Sequence, residues 1–176
     1  MATIFKAEDR YFQENPGRID HFRLVSDFSI INKGLKIQNL NFDLRRLDPD
    51  QYASLYHSHR HAEELFYIIS GSAVLRTPEG LQTVQAGDLL FFEMGDSGAH
   101  QLYNHTEEPC LYLDVRTFMG SDVCDYPDSN RVLLVPSMEL FHKEAPSAIF
   151  NGEENVGEIW EKLRNEPPKN DERQNR

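Results

Sequence analysis

Residues 57–71 place three histidines and two glutamates directly before an apolar run that ends at a glycine. The sequence from His57 to Gly71 is HSHRHAEELFYIISG. Neutral imidazole and ionised carboxylate are ligands for borderline first-row metals. Side chains two residues apart share one face of a strand, so His57 and His59 point the same way if this segment is extended. The pattern therefore predicts a metal site built on a β-strand.

Glu64 lies an odd number of residues after His59, so one continuous strand would place the two side chains on opposite faces. A bend or short loop within 60–63 removes this conflict. The next strand would then run back beside the first, with Glu64, Phe66 and Ile68 on one face. Gly71 ends that strand where a tight turn is needed.

A fourth donor is expected from His100, which follows an apolar run and a glycine-rich turn. The predicted ligands of a divalent transition metal (Fe, Mn, Ni or Zn) are therefore His57, His59, Glu64 and His100. Such a set leaves one or two coordination positions open, as catalytic metal sites do. His61 could replace His59 as a ligand, hydrogen-bond to a ligand without touching the metal, or lie solvated at the rim. It is also the candidate catalytic residue, as a proton shuttle.

These residues give the chain a resemblance to the cupin superfamily. The first cupin motif, G-x5-H-x-H-x3,4-E-x6-G, is matched by His57, His59, Glu64 and Gly71. The second motif, G-x5-P-x-G-x2-H-x3-N, is matched by Gly87, Gly95, His100 and Asn104. The sequence departs from the motifs at Gln51, at Glu93 and in the four residues between Gly95 and His100. The resemblance implies a small single-domain cupin, commonly a homodimer, and this group is sometimes labelled as sugar-phosphate isomerases.

Short apolar segments separated by turn residues predict an all-β sandwich or barrel. Together with the metal motifs they indicate a double-stranded β-helix, or jelly roll, followed by a short C-terminal helix. The predicted strands are a long one at 35–47 and shorter ones at about 26–31, 53–59, 64–70, 72–77, 81–85, 88–93, 100–105, 110–118 and 132–135. The predicted regions are an N-terminal arm with edge strands (1–34), the barrel (35–136), a segment with a helix at 155–163 (137–164) and a disordered tail (165–176).

Side chains that share parity with the ligands are candidates for the pocket wall. Phe66, Ile68 and Leu102 meet this condition. On the strand 110–118, one face is apolar and the other is mixed. If the mixed face lines the cavity, Tyr112 and Arg116 could bind substrate oxygens, although a mixed face is more often the solvated one.

Composition excludes several function classes. The net charge is −11 and no lysine- or arginine-rich run exists, which disfavours nucleic-acid binding. No apolar stretch reaches membrane-spanning length. The N-terminus lacks a signal pattern, so a cytoplasmic protein is expected. The two cysteines, Cys110 and Cys124, form no disulfide framework; Cys110 is expected in the core and Cys124 as a free thiol.

Two functions remain open at this point. The first is a metalloenzyme, an isomerase, decarboxylase or dioxygenase, acting on a small oxygenated or anionic metabolite. The alternative is a non-catalytic domain that binds or senses a small molecule. Neither involves a membrane or a nucleic acid.

Overall fold

The structure is a computed structural model of the chain. It describes residues 2–14, 17, 20–28, 34–35, 38–143, 149 and 154–165. Two compact units divide the chain, Met1–Lys143 and Glu144–Arg176. The finer boundaries expected after residues 34, 136 and 164 stay predictions. Within the described ranges, no helix is long and apolar enough to cross a membrane.

The described residues form thirteen strands and one α-helix. The strands are β1 (Phe12–Glu14), β2 (Val25–Asp27), β3 (Leu40–Leu47), β4 (Ser58–His59), β5 (Glu64–Ser70), β6 (Ser72–Thr77), β7 (Gly80–Gln85), β8 (Leu89–Phe92), β9 (Gln101–Tyr103), β10 (Cys110–Thr117), β11 (Asp122–Tyr126), β12 (Arg131–Val135) and β13 (Glu139–His142). Short 3₁₀ turns lie at Ala7–Asp9, Asp96–Gly98 and Pro127–Ser129. The helix α1, in the second unit, is Val156–Asn165.

The strands that the structure describes pair antiparallel in three sheets. The largest has the order β1-β2-β3-β10-β5-β8, the second β13-β12-β11-β4 and the third β7-β6-β9. Strands distant in sequence are neighbours, as β3, β10 and β5 are, which is the connectivity of a jelly roll. The prediction of an all-β double-stranded β-helix with a short C-terminal helix is therefore confirmed.

Most strands expected from the sequence are present, and three that were not expected are added. The additions are β1, β11 and β13. The long strand expected from residue 35 begins at Leu40, and the strand expected at 53–59 is reduced to β4. The expected strand residues 29–31 and 36–37, and the polar tail at 166–176, lie outside the described residues.

The pairing expected between the His57–His59 segment and the following strand was wrong. His59 on β4 lies opposite Cys124 on β11, and His57 forms an isolated bridge with His100. The bend at 60–63 carries the chain from the four-stranded sheet into the six-stranded one, so β4 and β5 belong to different sheets. The bend nevertheless turns Glu64 toward the histidines, as its odd spacing required.

Buried apolar side chains, most of them on the six- and three-stranded sheets, form the core. On β5, Glu64, Phe66 and Ile68 are buried while Tyr67 and Ile69 are exposed, the alternation of a half-buried strand. The core members are Leu47, Ala53, Phe66, Ile68, Ala73, Leu75, Val84, Leu90, Phe92, Leu102, Cys110 and Tyr112.

Gly71 joins β5 to β6 in a conformation that only glycine adopts easily. Its φ is +79°, and a Cβ there would stand 2.5 Å from the carbonyl oxygen of Pro109. The turn thus needs both a left-handed residue and the absence of a side chain. This close approach explains the glycine at the end of the first motif.

The inner face of the six-stranded sheet changes from apolar to charged along β10. Cys110 and Tyr112 belong to the apolar core, whereas Asp114 and Arg116 continue the same face. Arg116 lies directly opposite Glu64 on β5. The mixed face of this strand is therefore the inner one, and its charged end marks where a polar site can form.

Candidate metal centre

Three of the four predicted donors lie together at the charged end of the barrel. One ligand atom each of His57, His59 and Glu64 lies within 4.8 Å of the other two. His59 comes from β4, and Glu64 is the first residue of β5 after the bend. Both side chains are buried, and His57 is half-buried.

His100 joins the same cluster through the carboxylate of Glu64. Its Nε2 lies 3.1 Å from Oε2 of Glu64, and Nε2 of His59 lies 3.4 Å from that oxygen. The His100 ring is buried and stacks on Phe92 with their centroids 3.7 Å apart. The structure therefore brings all four predicted donors together around Glu64.

Each of the three imidazoles has its Nδ1 bound to an oxygen that can only accept a hydrogen bond. These acceptors are the Leu55 carbonyl for His57 at 2.8 Å, the Asp122 carboxylate for His59 at 2.5 Å and the Gly98 carbonyl for His100 at 2.9 Å. Each Nδ1 therefore carries the hydrogen, and in a neutral ring Nε2 keeps the lone pair. Hydrogen bonds of this kind orient metal-binding histidines and fix their tautomers.

Asp122 is the site residue that sequence reasoning missed. Its Oδ2 accepts from His59, and its Oδ1 accepts from the backbone N–H groups of His61 at 2.9 Å and Val123 at 2.8 Å. The sequence of β11, DVCDY, has too few apolar residues to signal a strand. Its period-two spacing of Asp122 and Cys124 is the signal that could have found it.

Cys124 faces the same cluster from β11. Its Sγ lies 3.3 Å from Nδ1 of His59, and the side chain is buried. His59, Asp122 and Cys124 form a second group whose ligand atoms lie within 4.8 Å of one another. Since Nδ1 of His59 is already bound to Asp122, the Nε2 side remains the better place for a metal.

The surroundings set different charge states for the donors. Burial, together with His100, lowers the pKa of His57 to about 3, so this ring is neutral. Burial opposes protonation of His59, but its hydrogen bond to Asp122 and the nearby Cys124 and Glu64 raise its pKa to about 11. Burial also opposes ionisation of Glu64, yet His100 and His59 hold its pKa well below the usual range.

The donor set fits a divalent transition metal. Oε2 of Glu64 and Nε2 of His100 are both buried and lack a correctly oriented hydrogen-bond partner among the described residues. An unsatisfied buried polar atom costs about 1–3 kcal/mol. A cation between these atoms would satisfy both, and three imidazoles with one carboxylate suit Fe, Mn, Ni or Zn.

A cavity of about 380 Å³ opens beside the cluster. Phe66 lines it, as expected from its parity, and Arg116 lines it because the mixed face of β10 is the inner one. Ile68, Leu102 and Tyr112 were expected to line the cavity and do not. Their side chains point inward but lie further from the charged end of the barrel, where they are fully buried in the apolar core. His61 is exposed and does not line the cavity, so only its backbone N–H, bound to Asp122, takes part.

Two arginines line the cavity, and they differ in their ion pairs. Arg45 is bound to Asp43 at 3.2 Å and to Asp114 at 2.5 Å. Nη1 of Arg116 lies 3.4 Å from Nε2 of His59, and no carboxylate within the described residues approaches it closely enough for an ion pair. Arg116 therefore brings a guanidinium without an ion pair to the same space as the donors.

Comparison with known proteins identifies the domain. Residues 44–116 match the family model of the cupin domain, and the chain therefore carries a cupin domain. No curated protein sequence matches the chain. The matched residues contain all four donors but end before Asp122.

Solved structures share the fold at low sequence identity. A sugar phosphate isomerase of the cupin superfamily from Silicibacter pomeroyi superposes with a TM-score of 0.69 at 22% identity, covering 84% of this chain and 98% of that one. A polyketide cyclase from Streptomyces resistomycificus gives 0.54 at 18%, covering 66% and 80%. A predicted oxalate decarboxylase from Thermotoga maritima gives 0.51 at 17%, covering 66% and 99%. At these identities the similarity establishes the fold alone.

Proposed function

We propose that the protein is a metal-dependent enzyme that acts on a small oxygenated or anionic metabolite. The observation that supports this most directly is the convergence of three imidazoles and Glu64 beside a cavity of about 380 Å³. A purely structural site would use all its coordination positions and need no cavity.

Each residue has a distinct task in this proposal. His57, His59, Glu64 and His100 hold the cation, and Asp122 keeps the His59 ring oriented with Nε2 toward the cluster. A bound divalent cation would supply Lewis acidity to an oxygen atom of the substrate. Isomerisation, decarboxylation and oxygen-dependent cleavage all agree with this arrangement, and the names of the structural neighbours span several reaction types.

The test begins with the metal itself. Elemental analysis of the purified protein is expected to find close to one transition-metal ion per chain. The double variant His57→Ala/His100→Ala should lose it, because two of four donors are gone. His61→Ala is the matched control: it removes an exposed imidazole next to the site and should keep the metal. A double variant with undiminished metal would refute the ligand assignment.

Turnover decides between the enzyme and the non-catalytic alternative. The metal-loaded protein is incubated with sugar phosphates, organic acids and phenols, and their consumption is followed by mass spectrometry. Consumption that disappears in the double variant supports the enzyme. Compounds that bind and are never converted would instead establish a binding domain.

A further inference from the structure

We infer that the ligand of the cavity is an organic acid with a single carboxylate and an apolar body, and that Arg116 binds the carboxylate. The inference rests on the proposed function, because it names the substrate class of the same site. Its basis is the charge of Arg116 and the chemistry of the walls around it.

Arg116 is the arginine of the lining that forms no ion pair within the described part of the chain, although Asp114 and Glu64 are its neighbours on the inner face. Arg45, the other arginine in the lining, is neutralised by Asp43 and Asp114. Nη1 of Arg116 lies 3.4 Å from Nε2 of His59, a nitrogen that faces the donor cluster. A guanidinium half-buried without a counter-ion is costly, and a carboxylate of a ligand would supply that counter-ion.

The position of Arg116 places that carboxylate next to the metal ligands. Arg116 lies opposite Glu64 in the β5–β10 ladder, and its Nη1 is 3.4 Å from His59. An anion bound there would also screen the guanidinium from a cation held by the donors. The carboxylate of the ligand would therefore reduce the repulsion between the Arg116 guanidinium and the bound cation.

The remaining walls are mainly apolar. The apolar side chains there are Ala53, Leu55, Phe66, Leu133, Val135 and Met138, with Met138 largely exposed at the mouth. Ser54, Cys124 and Tyr126 are the other uncharged residues of the lining. The hydroxyl of Ser54 already donates to the carbonyl of Leu55. A sugar phosphate would bury several hydroxyls against these side chains, and each hydroxyl without a partner lowers affinity. An aliphatic or aromatic body would instead gain affinity from the same contacts.

Isothermal titration calorimetry on the metal-loaded protein tests the inference with four probes: phenylacetate, its neutral isostere phenylacetamide, acetate and glucose 6-phosphate. Phenylacetate should bind about 10–100-fold more tightly than phenylacetamide, because a hydrogen bond to a charged group is lost. Acetate should bind at least about 10-fold more weakly than phenylacetate, because it lacks the apolar body. Glucose 6-phosphate should also bind more weakly than phenylacetate.

Arg116→Gln should weaken phenylacetate binding about 10–100-fold with no loss of metal, and Arg116→Lys should recover part of the affinity. The control Arg131→Gln removes an equal charge from β12 at a residue outside the lining and should bind like the wild type. If Arg116→Gln does not fold, the comparison of acid and amide on the wild type decides alone.

The inference is overturned if the acid and the amide bind equally, if Arg116→Gln binds phenylacetate like the wild type, or if glucose 6-phosphate binds best. It is also overturned if no probe binds. Loss of the proposed function is a separate result: a wild-type protein without bound metal refutes the metalloenzyme. In that case, the dependence of phenylacetate affinity on Arg116 can still be measured.

Discussion

Replacing Asp122 by asparagine should weaken metal binding although Asp122 is not a ligand. The oxygen of an asparagine would remain the acceptor for the backbone N–H groups of His61 and Val123. Its NH₂ group would then face Nδ1 of His59, where two donors would meet. His59 can avoid this clash only by moving its hydrogen to Nε2, which removes the lone pair that faces Glu64.

The expected size of this effect follows from the bond that is lost. The contact between His59 and Asp122 is short, 2.5 Å, and both side chains are buried. Hydrogen bonds to charged groups contribute about 1.5–3 kcal/mol. Mutating a residue that orients a metal ligand typically costs about 10–100-fold in affinity, which corresponds to roughly 1.4–2.7 kcal/mol. The two estimates agree.

Metal affinity would be measured by competition with a chelator of known affinity. Asp125→Asn is the matched control, because Asp125 is on the same strand but pairs with Arg60 and Lys143. That variant should lose stability without a change in metal affinity. Equal affinities for Asp122→Asn and the wild type would show that Asp122 does not orient His59, and the reasoning from tautomers would fail.

Three further results are expected. Gly71→Ala should destabilise the fold by about 1–3 kcal/mol in urea denaturation, because alanine at φ +79° is strained and its Cβ would meet the Pro109 carbonyl; an unchanged midpoint would contradict this. Removing the metal with a chelator should lower the melting temperature by roughly 5–10 °C, since free metal at about 100 times its Kd contributes about 2.7 kcal/mol, and re-addition should restore it. We also propose a homodimer through the exposed outer face of β5 and β8, where Phe91 and Leu89 are 58% and 66% exposed. Phe91→Lys should then sediment as a monomer; a wild type that already does so would refute the dimer.

The sequence was sufficient to predict the fold and the convergence of the four donors. Period-two alternation from Glu64 to Ile68 revealed β5, and the odd spacing between His59 and Glu64 required the bend that the structure contains. These features are local, because they depend only on the order of apolar and polar residues within a short segment. Gly71 likewise marks a turn that a side chain would obstruct.

The parts that could not be predicted depend on contacts between distant segments. Asp122 and Asp125 make β11 look like a solvated loop, yet both are buried because His59, Arg60 and Lys143 compensate their charges. For the same reason, the charged side chains on β10 left open which face of that strand is the inner one. Their face is the inner one, since Asp114 is paired with Arg45.

The inference that Tyr112, Ile68 and Leu102 line the cavity failed for a different reason. Parity determines which face of a strand a residue occupies, but it does not determine its depth along the barrel. All three lie on inner faces and are fully buried, whereas the cavity opens only at the end that holds Glu64 and Arg116.

His100 and Asp122 are distant in sequence from the other residues of the metal centre, and this affects when the centre forms during folding. Between His59 and Asp122 the separation is 63 residues, and the four donors come from both the four-stranded and six-stranded sheets and the segment before β9. A denatured chain therefore offers an ion only the donors within residues 57–64, without His100 and without the hydrogen bond from His59 to Asp122. The complete site forms only when the barrel closes. The ion would therefore bind the folded state most tightly and slow its unfolding.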